Sequence, residues 1–110
     1  MKKSIKKAWI AALLSGKYIQ GKSKLRTDDG KHCCLGVLCS ISPWKNTYTT
    51  MICEEGNPDS KNTYLPRKIV EWAGLPNKYG KIGNNRSLNE LNDSLDWEFK
   101  AIAQFIKDKF

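Results

Sequence analysis

Apolar residues recur along this chain mostly at the three- and four-residue spacing that places side chains on one face of a helix. The first such stretch runs from about Ser4 to Leu14. Ser4 is a typical N-cap, and Gly16 is a typical terminating residue. The apolar stripe consists of Ile5, Trp9, Ala12 and Leu13. The pattern predicts an amphipathic first helix whose lysines lie mostly away from the core.

The next apolar run, Cys33–Ile41, has no alternation of polar and apolar residues. Its length is compatible with a strand, but its spacing favours a buried helix. The residues before it are polar and rich in glycine. They predict a loop over 16–24, a short extended piece at Leu25–Thr27 and a tight turn at Asp28-Asp29-Gly30.

The segment Trp44–Cys53 carries the strongest strand signal. Asn46 supplies a turn, and the four residues that follow it have high strand propensity: Thr47, Tyr48, Thr49 and Thr50. Residues 54–62 are a loop by composition. We expect the strand-like residues to form a small antiparallel sheet or hairpin.

The remaining sequence predicts three further helices. Leu65–Ala73 is followed by Gly74 as its stop signal. Ser87 can cap a short helix over Leu88–Leu91, with Glu90 as the capping-box partner.

The last helix should run from a cap at Asp96 to about Lys109, on a stripe of Phe99, Ile102, Ala103 and Ile106. Before it, Asn92-Asp93-Ser94 reads as a break between helices. A chain of 110 residues is too short for two stable cores. We therefore predict one α+β domain, residues 1–110, with about four helices and a small antiparallel sheet.

Basic charge is concentrated in the first third of the chain. Residues 1–31 contain nine Lys or Arg and two Asp, and the other 79 residues are almost balanced, within a total of +8. Such polarisation points to an anionic partner, although a solvated basic face has the same composition. The basic start followed by a short apolar stretch imitates a signal peptide, but no cleavage pattern follows it. We expect a cytoplasmic protein that has no membrane partner.

The cysteines and the lone histidine invite catalytic or metal-binding interpretations. Cys33 and Cys34 are adjacent, and Cys39 follows after four residues, which is poor spacing for a zinc site. His32 precedes Cys33 directly, whereas catalytic Cys–His pairs are usually brought together by the fold. Buried free thiols suit this apolar run better. We predict no enzyme activity, no metal and no cofactor.

Residues Gly16–Ser23 match the phosphate-binding pattern GxxxxGK[ST]. A true Walker loop follows a buried strand and opens a helix, whereas this one follows a helix. The chain is also too short for the parallel sheet of an NTPase. The backbone amides and lysines of this loop also suit a looser anion-binding role.

Several blocks together resemble a family of small uncharacterised proteins encoded by tailed bacteriophages and prophages. The most distinctive block is CCLGVLC at Cys33–Cys39. The others are Trp9, Ala12, Leu13, Ser15-Gly16, Tyr18, Gln20-Gly21, Leu25-Arg26, Leu65-Pro66, Trp72–Leu75, Leu91–Asp93, Phe99, Ile102 and Ala103. Leu95–Trp97 departs from the pattern, which has Gly and a small polar residue there. The resemblance implies a phage-type accessory protein and supplies no catalytic residue.

These observations lead to one functional hypothesis and two alternatives. The first is a non-enzymatic protein that sequesters a small anionic ligand, a nucleotide-derived host immune signal, in counter-defence. The expected ligand-binding residues, placed at a homo-oligomer interface, are Lys17, Tyr18, Gln20, Lys22, Lys24 and Arg26. The alternatives are a nucleic-acid-binding protein that uses the same basic face and an inhibitor that binds a host protein.

Overall fold

The computed structural model describes residues 1–46 and 64–110, and these contain five helices and no strand. The helices are α1 Lys3–Leu14, α2 Cys34–Ile41, α3 Arg67–Ala73, α4 Leu88–Asp93 and α5 Phe99–Lys109. No helix in these two ranges is long and apolar enough to cross a membrane.

The described part of the chain is all-α, and the predicted α+β class is wrong. Its extended pairings are two isolated bridges, one between Gln20 and His32 and one between Arg26 and His32. They cannot lengthen into strands, because Ser23 turns the chain with a φ of 69° and Cys33 already caps α2. Of the predicted strand Trp44–Cys53, residues 44–46 lie in a turn, and the rest lies outside the described residues together with the predicted loop 54–62.

Helix α2 forms the centre of the core, as its unbroken apolar sequence predicts. All six residues from Cys34 to Cys39 are buried. Helix α1 packs on both α2 and α5, and the indole nitrogen of Trp9 donates a 2.9 Å hydrogen bond to the carbonyl of Cys34. Gly36 lets α2 touch the backbone of Leu25, since a Cβ at Gly36 would lie 1.7 Å from the Leu25 carbonyl oxygen. The loop before α2 is therefore in direct contact with the core.

Most helix ends follow the local signals in the sequence. Gly74 ends α3 in the left-handed conformation, and the Ser87 hydroxyl accepts a 3.1 Å hydrogen bond from the Glu90 amide. The Glu90 carboxylate pairs with Arg86, however, so the predicted capping box is only half formed. Helix α1 starts at Lys3, one residue before the predicted start, and its N-cap Lys2 makes no side-chain cap.

The start of α5 departs furthest from the local signals. Asp96 was the predicted cap, but it adopts a φ of 56°, and α5 begins three residues later at Phe99. The amide of Phe99 instead donates a 3.1 Å hydrogen bond to the side-chain oxygen of Gln20. A residue 79 positions away thus satisfies one of the unpaired N–H groups at the helix start.

Candidate functional site

The loop between α1 and α2 is held in place by the side chain of Gln20. Its amide nitrogen donates to the side-chain oxygen of Asn92 at 2.9 Å and to the carbonyl of Trp97 at 2.7 Å. Its oxygen accepts from Phe99. Both N–H donors of Gln20 are thus used inside the protein. Gln20 was a predicted ligand-binding residue, and the geometry gives it a structural position.

Asn92 is the buried partner that connects this loop to the helices. It is fully buried within α4, although the sequence suggested a break between helices at this point. Its side-chain oxygen also accepts from the Cys34 amide at 3.1 Å, at the start of α2, and its nitrogen donates to the Gly21 carbonyl at 2.8 Å. A single amide therefore joins the loop, α2 and α4. No local pattern in the sequence singled out this role.

His32 closes the loop from the other side. Its amide donates to the Ile19 carbonyl at 2.9 Å, and its carbonyl accepts from the Gly21 amide at 2.8 Å. The ring lies edge-on to Tyr18 at 5.1 Å, and its Nδ1 atom is buried without a hydrogen-bond partner in the described structure. Burial, and then the nearby charge of Arg26, lower the pKa of His32 below the usual histidine value. The imidazole is therefore neutral at pH 7.

The predicted cationic residues of the loop lie on its outer side. Exposed and buried positions are interleaved. The buried ones are Gly21 and Leu25, and the exposed ones are Lys17, Lys22, Lys24 and Arg26. Tyr18 is half-buried against His32, and Lys22 forms an ion pair with Asp96. The loop thus presents exposed cations, while Gln20 and Leu25 fix its position, and we call residues 17–26 the basic loop.

A second cationic feature lies between α1 and α5, where sequence reasoning placed no site. Helix α1 and the last turn of α5 flank an open groove of about 300 Å³. Its lining residues are Lys3, Lys6, Lys7, Ile10 and Lys107. The ammonium group of Lys6 donates a 3.0 Å hydrogen bond to the Lys107 carbonyl, which joins the two helices. Lys107 is about 100 residues from the others, so only the fold could reveal this lysine groove.

A family model described as "Domain of unknown function (DUF8296)" matches residues 1–110. The chain belongs to the DUF8296 family. No curated protein and no solved structure matches it. The description of DUF8296 names no function, so the geometry of this chain is the guide to what it does.

The cysteines of this DUF8296 chain confirm the prediction of buried thiols at three positions. Cys33, Cys34 and Cys39 are buried and free. Burial raises the pKa of Cys33 to about 12 and also raises the pKa values of Cys34 and Cys39. The Cys33 sulfur accepts a hydrogen bond from the Gly36 amide and so acts as the N-cap of α2. In the described ranges, no group of three or more His, Cys, Asp or Glu residues is placed to hold a metal ion.

The Walker-like match at Gly16–Ser23 does not form a phosphate cradle of the Walker type. Gly16 ends α1 with a φ of 78°, and the Gly21 amide is already bonded to the His32 carbonyl. Residues 24–33 after the match form bends, turns and bridges instead of a helix. The backbone N–H groups that would surround a phosphate at a helix start are therefore not assembled.

Proposed function

We propose that this protein is a non-enzymatic binder of a small anionic ligand, a nucleotide-type host signal. In this proposal it is a phage-type accessory protein that sequesters the signal in the cytoplasm of an infected cell. The chain carries a net charge of +8, which attracts anions over long range. The raised thiol pKa values of Cys33, Cys34 and Cys39 support a binding role over a nucleophilic one.

The observation that carries the proposal is that the basic loop holds its exposed cations in a fixed position before any ligand binds. In the basic loop, Leu25 is completely buried and Gln20 is hydrogen-bonded to α4 and α5. A loop fixed before binding loses little conformational entropy when an anion arrives. The lysine groove adds a concave surface of the same charge, and its volume is at the lower end of the range for small-ligand sites.

Calorimetric titration of the purified protein tests the proposal. The probes are 3′,5′-cyclic AMP, 3′,5′-cyclic GMP and ADP-ribose, with uncharged adenosine as the control. We expect at least one charged probe to bind with a dissociation constant in the micromolar range or below and adenosine not to bind. Failure of the folded protein to bind any charged probe would contradict the proposal.

A nucleic-acid-binding function is the second candidate, favoured by one specific observation. Lys17, Lys24 and Arg26 lie exposed on the outer side of the basic loop. An exposed cationic edge suits a phosphate backbone, whose binding weakens steeply with salt because counterions are released. Titration of a fluorescent 20-nucleotide DNA between 50 and 200 mM salt measures this. A steep loss of affinity supports nucleic acid, and no binding at 50 mM salt rejects it.

A further inference from the structure

The lysine groove differs from an ordinary solvated face because lysines from two helices line the same groove. Lys3, Lys7 and Ile10 follow one stripe of α1 at four- and three-residue spacing. Lys107 approaches from the last turn of α5. With a rise of about 1.5 Å per residue, the stripe is roughly 10 Å long. That length accommodates several linked groups, such as a diphosphate with an attached ribose.

In the part of the chain that the structure describes, no acidic side chain forms an ion pair with a lysine of the groove. Within residues 1–46 and 64–110, the three ion pairs are Lys22–Asp96, Lys31–Asp29 and Arg86–Glu90, and none involves a groove lysine. The first turn of α1 also contains no acidic residue. The positive end of its helix dipole therefore adds to the charge of Lys3. At the other end, Lys6 covers the Lys107 carbonyl, which would otherwise repel an anion.

The lining of the lysine groove also limits the chemistry of its occupant. Ile10 and the methylene stems of the lysines offer an apolar surface beside the cationic heads. A ligand with a charged part and an apolar part therefore fits better than inorganic phosphate. None of the five lining residues is aromatic, whereas single-stranded nucleic acid is usually held by a series of stacking aromatic side chains.

We infer that the lysine groove is the binding site for a nucleoside-diphosphate-type ligand. The phosphates contact Lys3, Lys7 and Lys107, and the nucleoside rests against Ile10. Lys6 keeps its bond to α5 and adds its charge to the groove. This inference rests on the proposed function, and it moves the main contacts from the basic loop to the lysine groove.

The test titrates ADP-ribose, AMP and adenosine into the intact protein and three double variants. The groove variant is Lys3→Gln with Lys7→Gln. The loop variant is Lys17→Gln with Lys24→Gln. The control variant is Lys68→Gln with Lys81→Gln, which removes the same charge from exposed positions outside both features. Circular dichroism and thermal unfolding establish that each variant is folded.

We expect ADP-ribose to bind more tightly than AMP and adenosine not to bind. The groove variant should weaken ADP-ribose binding by about tenfold or more, since it removes two charged hydrogen-bond donors to the phosphates. The loop and control variants should change it by less than about threefold. The inference is overturned if the groove variant binds ADP-ribose within about threefold of the intact protein, or if the cyclic nucleotides of the first titration bind and ADP-ribose does not. In both cases the proposed function survives, whereas no binding by any charged probe removes the proposed function as well.

Discussion

The basic loop and the lysine groove are both rich in cations, but they are integrated into the molecule in different ways. In the basic loop, the cations alternate with Gln20, Gly21 and Leu25, which are tied to the core. In the lysine groove, the cations lie on the outer faces of helices whose buried stripes would form without them. The basic loop therefore contains residues that the fold needs between its exposed cations, whereas Lys3 and Lys7 of the groove lie apart from the buried stripe of their helix.

This difference makes opposite predictions for the two regions. Substitutions at the buried contacts of the basic loop should lower stability, and substitutions of Lys3 or Lys7 in the groove should lower affinity and leave stability nearly unchanged.

Gly36→Ala should produce the largest loss of stability. Its Cβ would lie 1.7 Å from the Leu25 carbonyl oxygen, so the loop and α2 must separate. Overpacking of a tight core costs about 3 kcal/mol, and more where backbone must move. Urea unfolding measures the change. Gly16→Ala is the matched control, because it has open space and should cost about 1 kcal/mol through its positive φ alone. Equal losses in the two variants would contradict the contact.

Asn92→Ala should be the next most damaging change. It leaves the Cys34 amide and the Gly21 carbonyl without their partner in a buried setting. Each unpaired buried group costs about 1–3 kcal/mol, so we expect a loss of roughly 2–4 kcal/mol in urea unfolding. The control is Asn89→Ala in the same helix, where only a half-buried bond to Asp93 is lost. A loss below about 1 kcal/mol for Asn92→Ala would argue against its connecting role.

Gln20→Ala should cost about 1–2 kcal/mol. The Phe99 amide loses its acceptor at the start of α5, an effect comparable to the removal of an N-cap. Lys24→Ala serves as the comparison in the same loop, and we expect it to change stability by less than about 0.5 kcal/mol. If the two variants unfold at the same urea concentration, Gln20 does not stabilise the fold, and the prediction that it contacts a ligand stands.

His32 should titrate below the usual histidine pKa of about 6.5. Burial and the charge of Arg26 disfavour its protonated form in the folded state. The unfolded chain then binds the proton more tightly, so this contribution to stability is complete above pH 6.5 and is lost as the pH falls below it. NMR titration is direct because His32 is the only histidine in the chain. A pKa at or above 6.5 would contradict the half-buried placement of its ring.

Lys7→Gln should have the smallest effect on folding. Lys7 is exposed and has no ion-pair partner within the described ranges, so its removal relieves repulsion in the lysine groove. We expect thermal stability to stay within about 0.5 kcal/mol or to rise slightly. Lys22→Gln, which breaks the pair with Asp96, is the comparison in the basic loop. A marked destabilisation by Lys7→Gln would show that the groove lysine has a structural role.

The parts of the fold that were predictable are those set by neighbouring residues. The apolar run at α2, the stop at Gly74 and the cap at Ser87 all act within a few positions along the chain. The start of α5 was not predictable, since its cap comes from Gln20 across the core. The predicted α+β class was wrong: the extended pairings in the described residues stay isolated bridges at Gln20, Arg26 and His32, whereas a sheet requires pairings that continue.

The candidate site, too, was predictable from the sequence only in part. The sequence identified the cations of the basic loop, whose positions follow from charge and turn signals. It also proposed Gln20 as a ligand contact, because a polar residue between lysines looks the same whether it faces a ligand or a buried asparagine. The lysine groove requires Lys107 beside α1, and this depends on how α5 packs. Tertiary packing alone places that residue.

The most direct measurement is a titration of ¹⁵N-labelled protein with ADP-ribose, followed by amide chemical shifts. We predict the largest shift changes at Lys3, Lys7, Ile10 and Lys107, with small changes over residues 17–26. Changes concentrated in the basic loop, with the groove amides unmoved, would contradict the division between a loop fixed for folding and a groove open to ligand.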